Sequence, residues 1–311
     1  MVKYSAPGKI ILFGEHAVVF GKPAIAIAVE RRVYVDADFN GSDISEVNGY
    51  PIDHKFHSYI IEAIEKVGLE KNLSIDTGGN LPSGAGLGSS ASVTVAALGA
   101  LHELKGDKPD KESIAKEGFD IELQVQGSAS PIDTSTVTCG GGVMLSNKKR
   151  DGFLWKVKRE EKFWNVHKRD IPDMNLVVGH TGIHAPTPPL VRKVREFYDK
   201  NAFAREIIEE IGELVEEGSD ALEEGDLDKL GELMNRNHKL LTILGVSHTM
   251  LDRLVKATAK YSYGAKLTGA GGGGAMIALT DRPKKVAEVI RLWGGNPYIV
   301  LSATEGLRRE D

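Results

Sequence analysis

The stretch LPSGAGLGSSASVTVAALGALHELKG, residues 81–106, decides how this chain is read. Its first half spaces Gly84, Gly86 and Gly88 among Pro82, Ser83, Ala85 and Leu87, and Ser89, Ser90, Ala91 and Ser92 then open an apolar run that ends near Gly106. Glycines permit a tight loop with positive φ, and the run after them has the make-up of a largely buried helix. A helix beginning there leaves its first backbone N–H groups without partners at the positive end of the helix dipole. Such a place receives anions, and phosphate is the natural guest. A plain turn with a serine N-cap fits the same residues when they are taken alone. The Gly-Lys-Ser/Thr ending of the Walker A loop is absent, which excludes an ordinary P-loop NTPase.

Outward from this loop, Leu73–Ile75 predicts a strand and 57–67 a helix carried by Ile60, Ile61, Ala63 and Ile64. Upstream, Ile10–Phe13 and Ala24–Val29 predict short buried strands, and Arg32–Phe39 alternates as a half-buried strand does. Downstream, a helix over about 111–125 meets the loop GSASPIDTSTVT, and 140–145 returns to strand. Residues 148–170 are charged and broken, with no evident core, and supply a domain boundary: 1–168 and 169–311. The second part opens with a strand at 175–179. Amphipathic helices follow at about 190–198, 203–222, 227–244 and 250–261. A strand–glycine–strand unit at 264–279, a helix at 284–292 and a strand at 298–302 complete it. Both parts read as α+β.

Composition narrows the function classes. At roughly 150 residues per domain, 311 residues suggest two domains. Lys plus Arg is 39 against 44 for Asp plus Glu, so the net charge of −5 argues against a nucleic-acid partner. Cys139 stands alone, which excludes an intrachain disulfide and a cysteine-built metal site, and points to a reducing, cytoplasmic setting. The longest run free of acidic and basic residues, Thr77–Leu101, is too rich in Gly, Ser, Thr, Pro and Asn for a membrane span. Lys9, Glu15 and His16 break what might have been a signal-peptide core.

Glycine is the outlying count. Thirty-five of 311 is about 11% against a usual ~7%, and the excess falls in three clusters: Gly84/Gly86/Gly88, Gly140–Gly142 and Gly269/Gly271–Gly274. The third, KLTGAGGGG at 266–274, satisfies G-x-G-x-x-G at Gly269, Gly271 and Gly274. AMIALT follows as a strand, not the helix that a dinucleotide fold requires. A loop letting backbone approach a ligand, or a simple β-turn, remains. The middle cluster has no role beyond a turn. Lys9 and Glu15 punctuate an apolar run, where a charge must be paired or functional. His16 on its own reads as a satisfied core histidine, and Glu122 on a helix and Asp133 in a loop as solvated carboxylates.

Taken together, SAPGKIILFGEHAVVFG (5–21), LPSGAGLGSSAS (81–92) and KLTGAGGGGAM (266–276) resemble, in order and spacing, the three signature motifs of the GHMP kinase superfamily. The GEHAVV form of the first, with ASPIDTST at 129–136, resembles the mevalonate kinase family in its compact archaeal form. The resemblance covers nearly the whole chain. It implies an α+β fold of two domains with the active site in the cleft between them. It further implies transfer of the γ-phosphoryl of ATP to the 5-hydroxyl of mevalonate, in isoprenoid biosynthesis, with Mg²⁺. Partners would be mevalonate and ATP, with no nucleic acid or membrane, and a homodimer by analogy.

By the same resemblance, Pro82 to Ser92 form the ATP phosphate loop, supported by Gly269 and Gly271. Ser90 and Glu122 ligate Mg²⁺, Asp133 is the catalytic aspartate with Lys9 beside it, and Glu15, His16 and Thr187 face mevalonate. These types suit the chemistry. Phosphoryl transfer depends on positioning and charge neutralisation, Mg²⁺ takes oxygen ligands, and an aspartate in reach accepts the hydroxyl proton. Two departures stand out: Pro188 and Pro189 move the helix start to about Leu190, and Ala275 stands where many relatives have Cys. A sister kinase for phosphomevalonate, a sugar or homoserine shares the motifs. A diphosphomevalonate decarboxylase shares the fold but usually lacks the lysine present here as Lys9.

Overall fold

A computed structural model of the chain describes every residue except Ser83, Gly84, Pro109, Ser128 and Thr304. The first part runs β1 (Val2–Phe13), β2 (Ala24–Phe39), β3 (Glu46–Val47), β4 (Tyr50–Pro51), α1 (His54–Val67), β5 (Leu73–Gly79), α2 (Ser89–Lys105), α3 (Lys111–Gln126), α4 (Ile132–Cys139), β6 (Gly142–Ser146), β7 (Phe153–Arg159) and β8 (Lys162–Arg169). The second runs β9 (Asn175–His180), α5 (Thr187–Lys200), α6 (Ala202–Glu224), α7 (Leu227–Ile243), α8 (Thr249–Thr258), β10 (Gly264–Thr268), β11 (Ala275–Leu279), α9 (Pro283–Leu292), β12 (Asn296–Leu301) and β13 (Arg308–Glu310).

The long strand β2 organises the first sheet, ordered β4-β3-β5-β2-β6-β8-β7. Its C-terminal half pairs with β5, its N-terminal half with β6, and β1 runs antiparallel along nearly its whole length. The register of β1 slips between Pro7 and Gly8, where proline has no N–H to give a ladder. The slip sends the Lys9 N–H out of the sheet to the Leu87 carbonyl at 2.8 Å. A Cβ on Gly8 would fall 2.5 Å from Leu81 Cδ1, so the glycine lets the phosphate-loop segment lie directly on β1. Helix α2 is apolar nearly all round and buried from Thr94 to Leu101, as a helix pressed between a sheet and other helices must be. The second sheet is β10-β11-β9-β12, backed by α7, α8 and α9.

The chain leaves the first sheet at Arg169 and enters the second at Asn175. Its last residues return: Ser302 bridges Val29, and β13 pairs with β1 from Ser5↔Arg308 to Lys3↔Glu310. The buried Arg32 guanidinium ties the return down by donating to Ser5 Oγ, Ser5 O and Gly306 O at 2.8, 3.0 and 2.6 Å. Here the Gly140–Gly142 cluster finds its purpose. Gly141 donates to Ala303 O and accepts from Ala28 N–H, and a Cβ on the facing Gly306 would sit 2.1 Å from Thr138 O. Glycine permits backbone-to-backbone contact where three segments cross.

Three local expectations change. Residues 148–170 hold a hairpin, β7–β8, in which Trp155, Val157, Trp164 and Val166 alternate inward while Lys156 and Lys158 face solvent. The segment carrying Asp133 is the helix α4, although Thr and Ser fill it, and Thr136 bonds back to Ile132 O at 2.6 Å. Helix α5 starts at Thr187, not Leu190, because Pro188 and Pro189 occupy a first turn whose N–H groups have no helical partner to lose. Among the described residues no helix is long and apolar enough to cross a membrane.

Candidate active site

A cavity of about 440 Å³ opens between the two sheets, lined from the first part by β1, α1, α2, α3 and α4 and from the second by α5 and the glycine loop after β10. The resemblance led to expecting Lys9, Glu15, His16, Glu122, Asp133 and Thr187 in one site, and all six line this cavity.

Two backbone loops form its walls. The first precedes α2. Gly88 is the N-cap, in the left-handed region at φ 74°, and no described side chain caps the helix, so the alternative of a plain turn with a serine N-cap is not what forms. The exposed first-turn donors are therefore free for an anion. Gly86, Leu87, Gly88, Ser89 and Ser90 line the cavity. Pro82, Ala85, Ala91 and Ser92, also expected in the loop, do not line the cavity, and Ser92 Oγ donates to Pro7 O and Gly88 O. Ser83 and Gly84 lie outside the described residues. The second wall is the loop 269–274, with positive φ at Gly269 and at Gly271 through Gly274. A Cβ at Gly271 would fall 1.9 Å from Val246 O, so this loop packs backbone on backbone against the segment after α7. Gly269, Gly271 and Gly274 line the cavity.

Between the walls sit the charged groups. Lys9, 4% exposed, places Nζ 3.0 Å from Asp133 Oδ2, while Asp133 Oδ1 has no partner. Ser90 Oγ donates to Glu122 Oε1 at 3.3 Å. Burial first, and the nearby Asp133 charge second, push the Glu122 carboxyl up to about 8. Tyr59 Oη accepts from Gln126 Nε2 at 3.0 Å. At the base of the cleft the wholly buried Lys266 pairs with Glu15. Burial raises the Glu15 carboxyl and lowers the Lys266 ammonium, each partly offset by the other.

His16 holds an unusual backbone, φ 61° and ψ −39°, and its Nε2–H donates to Ala270 O at 2.9 Å. A carbonyl can only accept, so the neutral ring is the Nε2–H tautomer and Nδ1 is left as an unpartnered acceptor. Burial lowers the His16 pKa and favours this neutral form. Three buried acceptors around one cleft thus lack donors: Asp133 Oδ1, His16 Nδ1 and Glu15 Oε2. Buried acceptors are normally satisfied, so the unpartnered Asp133 Oδ1 and His16 Nδ1 suit a ligand that brings hydroxyl groups.

Sequence reasoning passed over Tyr59, Gln126, Ser130, His184 and Thr268, which also line the cavity, and Lys266 beneath it. Only Lys266 carried a signal, being a lysine in an apolar strand like Lys9.

Both halves of the chain match models of one class: "GHMP kinases N terminal domain" over residues 56–141 and "GHMP kinases C terminal" over 219–298. The fold and the cleft are those of the GHMP kinases. Within that class the chain belongs to the mevalonate kinase family. It is 42% identical to a mevalonate kinase of Pyrococcus horikoshii, over 100% of this chain and 99% of that one. It is 32% identical to a mevalonate kinase of Archaeoglobus fulgidus, over 99% of each. Among solved structures, L. major mevalonate kinase in complex with R-mevalonate superposes with a TM-score of 0.83 at 27% identity, covering 98% of this chain and 97% of that one.

Proposed function

We propose that this enzyme transfers the γ-phosphoryl group of ATP to the 5-hydroxyl of (R)-mevalonate, giving 5-phosphomevalonate and ADP. The observation that carries it is the Lys9–Asp133 pair, with one aspartate oxygen held and the other open, placed between two glycine loops in a chain 42% identical to a mevalonate kinase. The loop before α2 receives the phosphates on its backbone N–H groups and the helix dipole. The loop 269–274 lines the same cleft from the other side. The mevalonate 5-hydroxyl meets Asp133 Oδ1, the unpartnered acceptor. As its oxygen bonds to phosphorus and the bond from phosphorus to the ADP oxygen breaks, its proton passes to that carboxylate. Lys9, fixed on Oδ2, stabilises the charge on the attacking oxygen. His16 and Thr187 complete the acceptor pocket, where the imidazole Nδ1 accepts from a substrate hydroxyl.

The donor set also fits Mg²⁺. Ser90 and Glu122 offer a hydroxyl and a carboxylate, both hard oxygen ligands. The Glu122 carboxyl is costly as an anion where it is buried, and a cation there would relieve that cost. Among the described residues no group of three or more His, Cys, Asp or Glu gathers to cage a metal, which suits an ion shared with nucleotide phosphates. When bound, Mg²⁺ neutralises charge on the β- and γ-phosphates. We place the enzyme in the cytoplasm, in keeping with its single unpaired cysteine.

Incubation with Mg-ATP and a panel of mevalonate, phosphomevalonate, galactose and homoserine, with product mass as readout, tests the proposal. Phosphorylation of mevalonate in preference to the others is expected. Turnover of another acceptor with mevalonate untouched would replace the substrate, and ATP binding without any turnover would remove the kinase.

A further inference from the structure

Lys266, beneath the cleft, is a buried cation to which the chemistry above gives no task. Its side chain is wholly buried on β10, and among the described residues the only carboxylate in ion-pair reach is Glu15. A buried ion pair is a poor way to stabilise a fold, because desolvation of both charges offsets their attraction and apolar residues of similar volume do as well or better. What such a pair does supply is register between the elements that carry it.

Here the two elements come from opposite sides of the cleft. Glu15 follows Gly14, at φ 95°, in the turn that ends β1. Lys266 stands two residues before Thr268 and four before Ala270. Thr268 Oγ1 donates to Ile11 O at 2.9 Å, and Ala270 O accepts from His16 Nε2 at 2.9 Å. Residues 11–16 are thus held by 266–270 at three points, of which Lys266–Glu15 alone is charged. His16, the neighbour of Glu15, sits in a backbone conformation that L side chains rarely adopt. Such conformations persist only where the surroundings over-determine them. The bond to Ala270 O fixes the ring, and the ion pair fixes the residue before it.

We infer that Lys266 is a positioning residue for the acceptor substrate: by holding Glu15 it locks the Glu15–His16 turn, and with it the acceptor side of the cleft, against the second part of the chain. The Glu15 carboxylate, on this account, acts through Lys266 and the turn, not as an independent contact to mevalonate. The nucleotide loop before α2 hangs on Lys9 and Pro7 instead, and does not depend on the pair. The inference rests on the mevalonate-kinase reading for the identity of the acceptor but not for its geometry.

The test compares wild type, Lys266→Met, Glu15→Gln and the double variant, measuring KM for mevalonate, KM for ATP, and Tm. Lys266→Met is expected to raise KM for mevalonate at least about tenfold while KM for ATP stays within about twofold. It should also lower Tm, because Glu15 is left as an unpaired buried charge. The double variant has no such charge, so Tm should recover while the mevalonate KM stays raised, and all three variants should show about the same rise. Recovery of KM together with Tm would make the pair structural only. Additive losses in the two single variants would make Glu15 an independent substrate contact, and equal rises in both KM values would mean general disruption; each overturns the inference. If Lys266→Met does not fold, the double variant and Glu15→Gln still decide, since equal rises are required. Wild-type turnover is measured first with the acceptor panel. An acceptor other than mevalonate would overturn the substrate reading, and the same four proteins assayed with that acceptor would still test Lys266.

Discussion

Two lysine–carboxylate pairs sit in one cleft, and they are built for opposite purposes. In the Lys9–Asp133 pair the lysine is buried, but the Asp133 side chain keeps 26% of its surface, lines the cavity and leaves Oδ1 unbonded. In the Lys266–Glu15 pair neither side chain keeps appreciable solvent-exposed surface: Glu15 reaches the cavity wall with one oxygen unbonded, and Lys266 lies wholly buried behind it. An ion pair that must take part in a reaction has to keep an open side. An ion pair that must keep two elements in register is best closed. The same two residue types therefore divide by exposure and not by identity. If that distinction is right, changes to the open pair should damage turnover and changes to the closed pair should damage binding and stability.

The largest effect is expected at Asp133. Asp133→Asn keeps the shape and removes the proton acceptor, so kcat should fall by about 10²–10⁴ while ATP affinity, read by nucleotide titration, is unchanged. Normal turnover would take Asp133 out of the chemistry and erase the contrast between the pairs. Next in size is Lys9→Met. It removes the cation beside the attacking oxygen and should lower kcat by about 10² with a much smaller change in KM for ATP. A larger effect on ATP than on kcat would turn Lys9 into a nucleotide-binding residue.

Below these stands Ser90→Ala. Removing one of two proposed oxygen ligands should raise the Mg²⁺ concentration for half-maximal activity about tenfold, equivalent to ~1.4 kcal/mol. An unchanged Mg²⁺ titration would refute the metal role of the Ser90–Glu122 pair. That result would leave the about-8 pKa of Glu122 as a burial effect with no function attached.

How much of this the chain declares depends on how local each cause is. The phosphate-loop segment, the alternating run in β2 and the helices of the second part are set by periodicities within some twenty residues, and they are legible. The β7–β8 hairpin is masked by its outer Lys156, Lys158 and Lys162, whose charges sit among the Trp and Val that make its buried face. Helix α4 is masked by Thr134, Ser135, Thr136 and Thr138, poor helix formers that burial overrides. In the site, glycine loops and isolated charges in apolar runs point to chemistry, so Lys9 and Glu15 stand out on their own, while Asp133 is named only through the family resemblance. The partner that Glu15 takes cannot, because Lys266 lies far along the chain and only the packing of the two sheets brings them together. Gly140–Gly142 is opaque for the same reason: the residues pressing on it are Lys168, Arg169 and Ile171 at the end of the first sheet, with Gly306 of the returning C-terminal segment against Gly140.

The smallest effect comes from a third pair, only partly exposed and away from the cleft. His102, near the end of α2, has Nε2 2.8 Å from Glu117 Oε2 and Nδ1 3.4 Å from Asp107 Oδ2. The Glu117 hydrogen bond, more than any other cause, raises its pKa above the ordinary 6.5, against a smaller lowering by burial. The sign follows from that direction. Folding favours the protonated ring, so the stabilisation is full below pH 6.5 and is lost as pH rises through the folded-state pKa. A partly exposed pair of this kind contributes about 1 kcal/mol or less. Comparing wild type with His102→Gln, the Tm gap should be a few degrees or less at pH 5.5 and should close by pH 8.5. A gap that widened toward high pH would mean that the neutral ring is the favoured form. Mevalonate and ATP kinetics of the variant at pH 7 should match wild type, because this pair neither faces the cleft nor holds its two sides together.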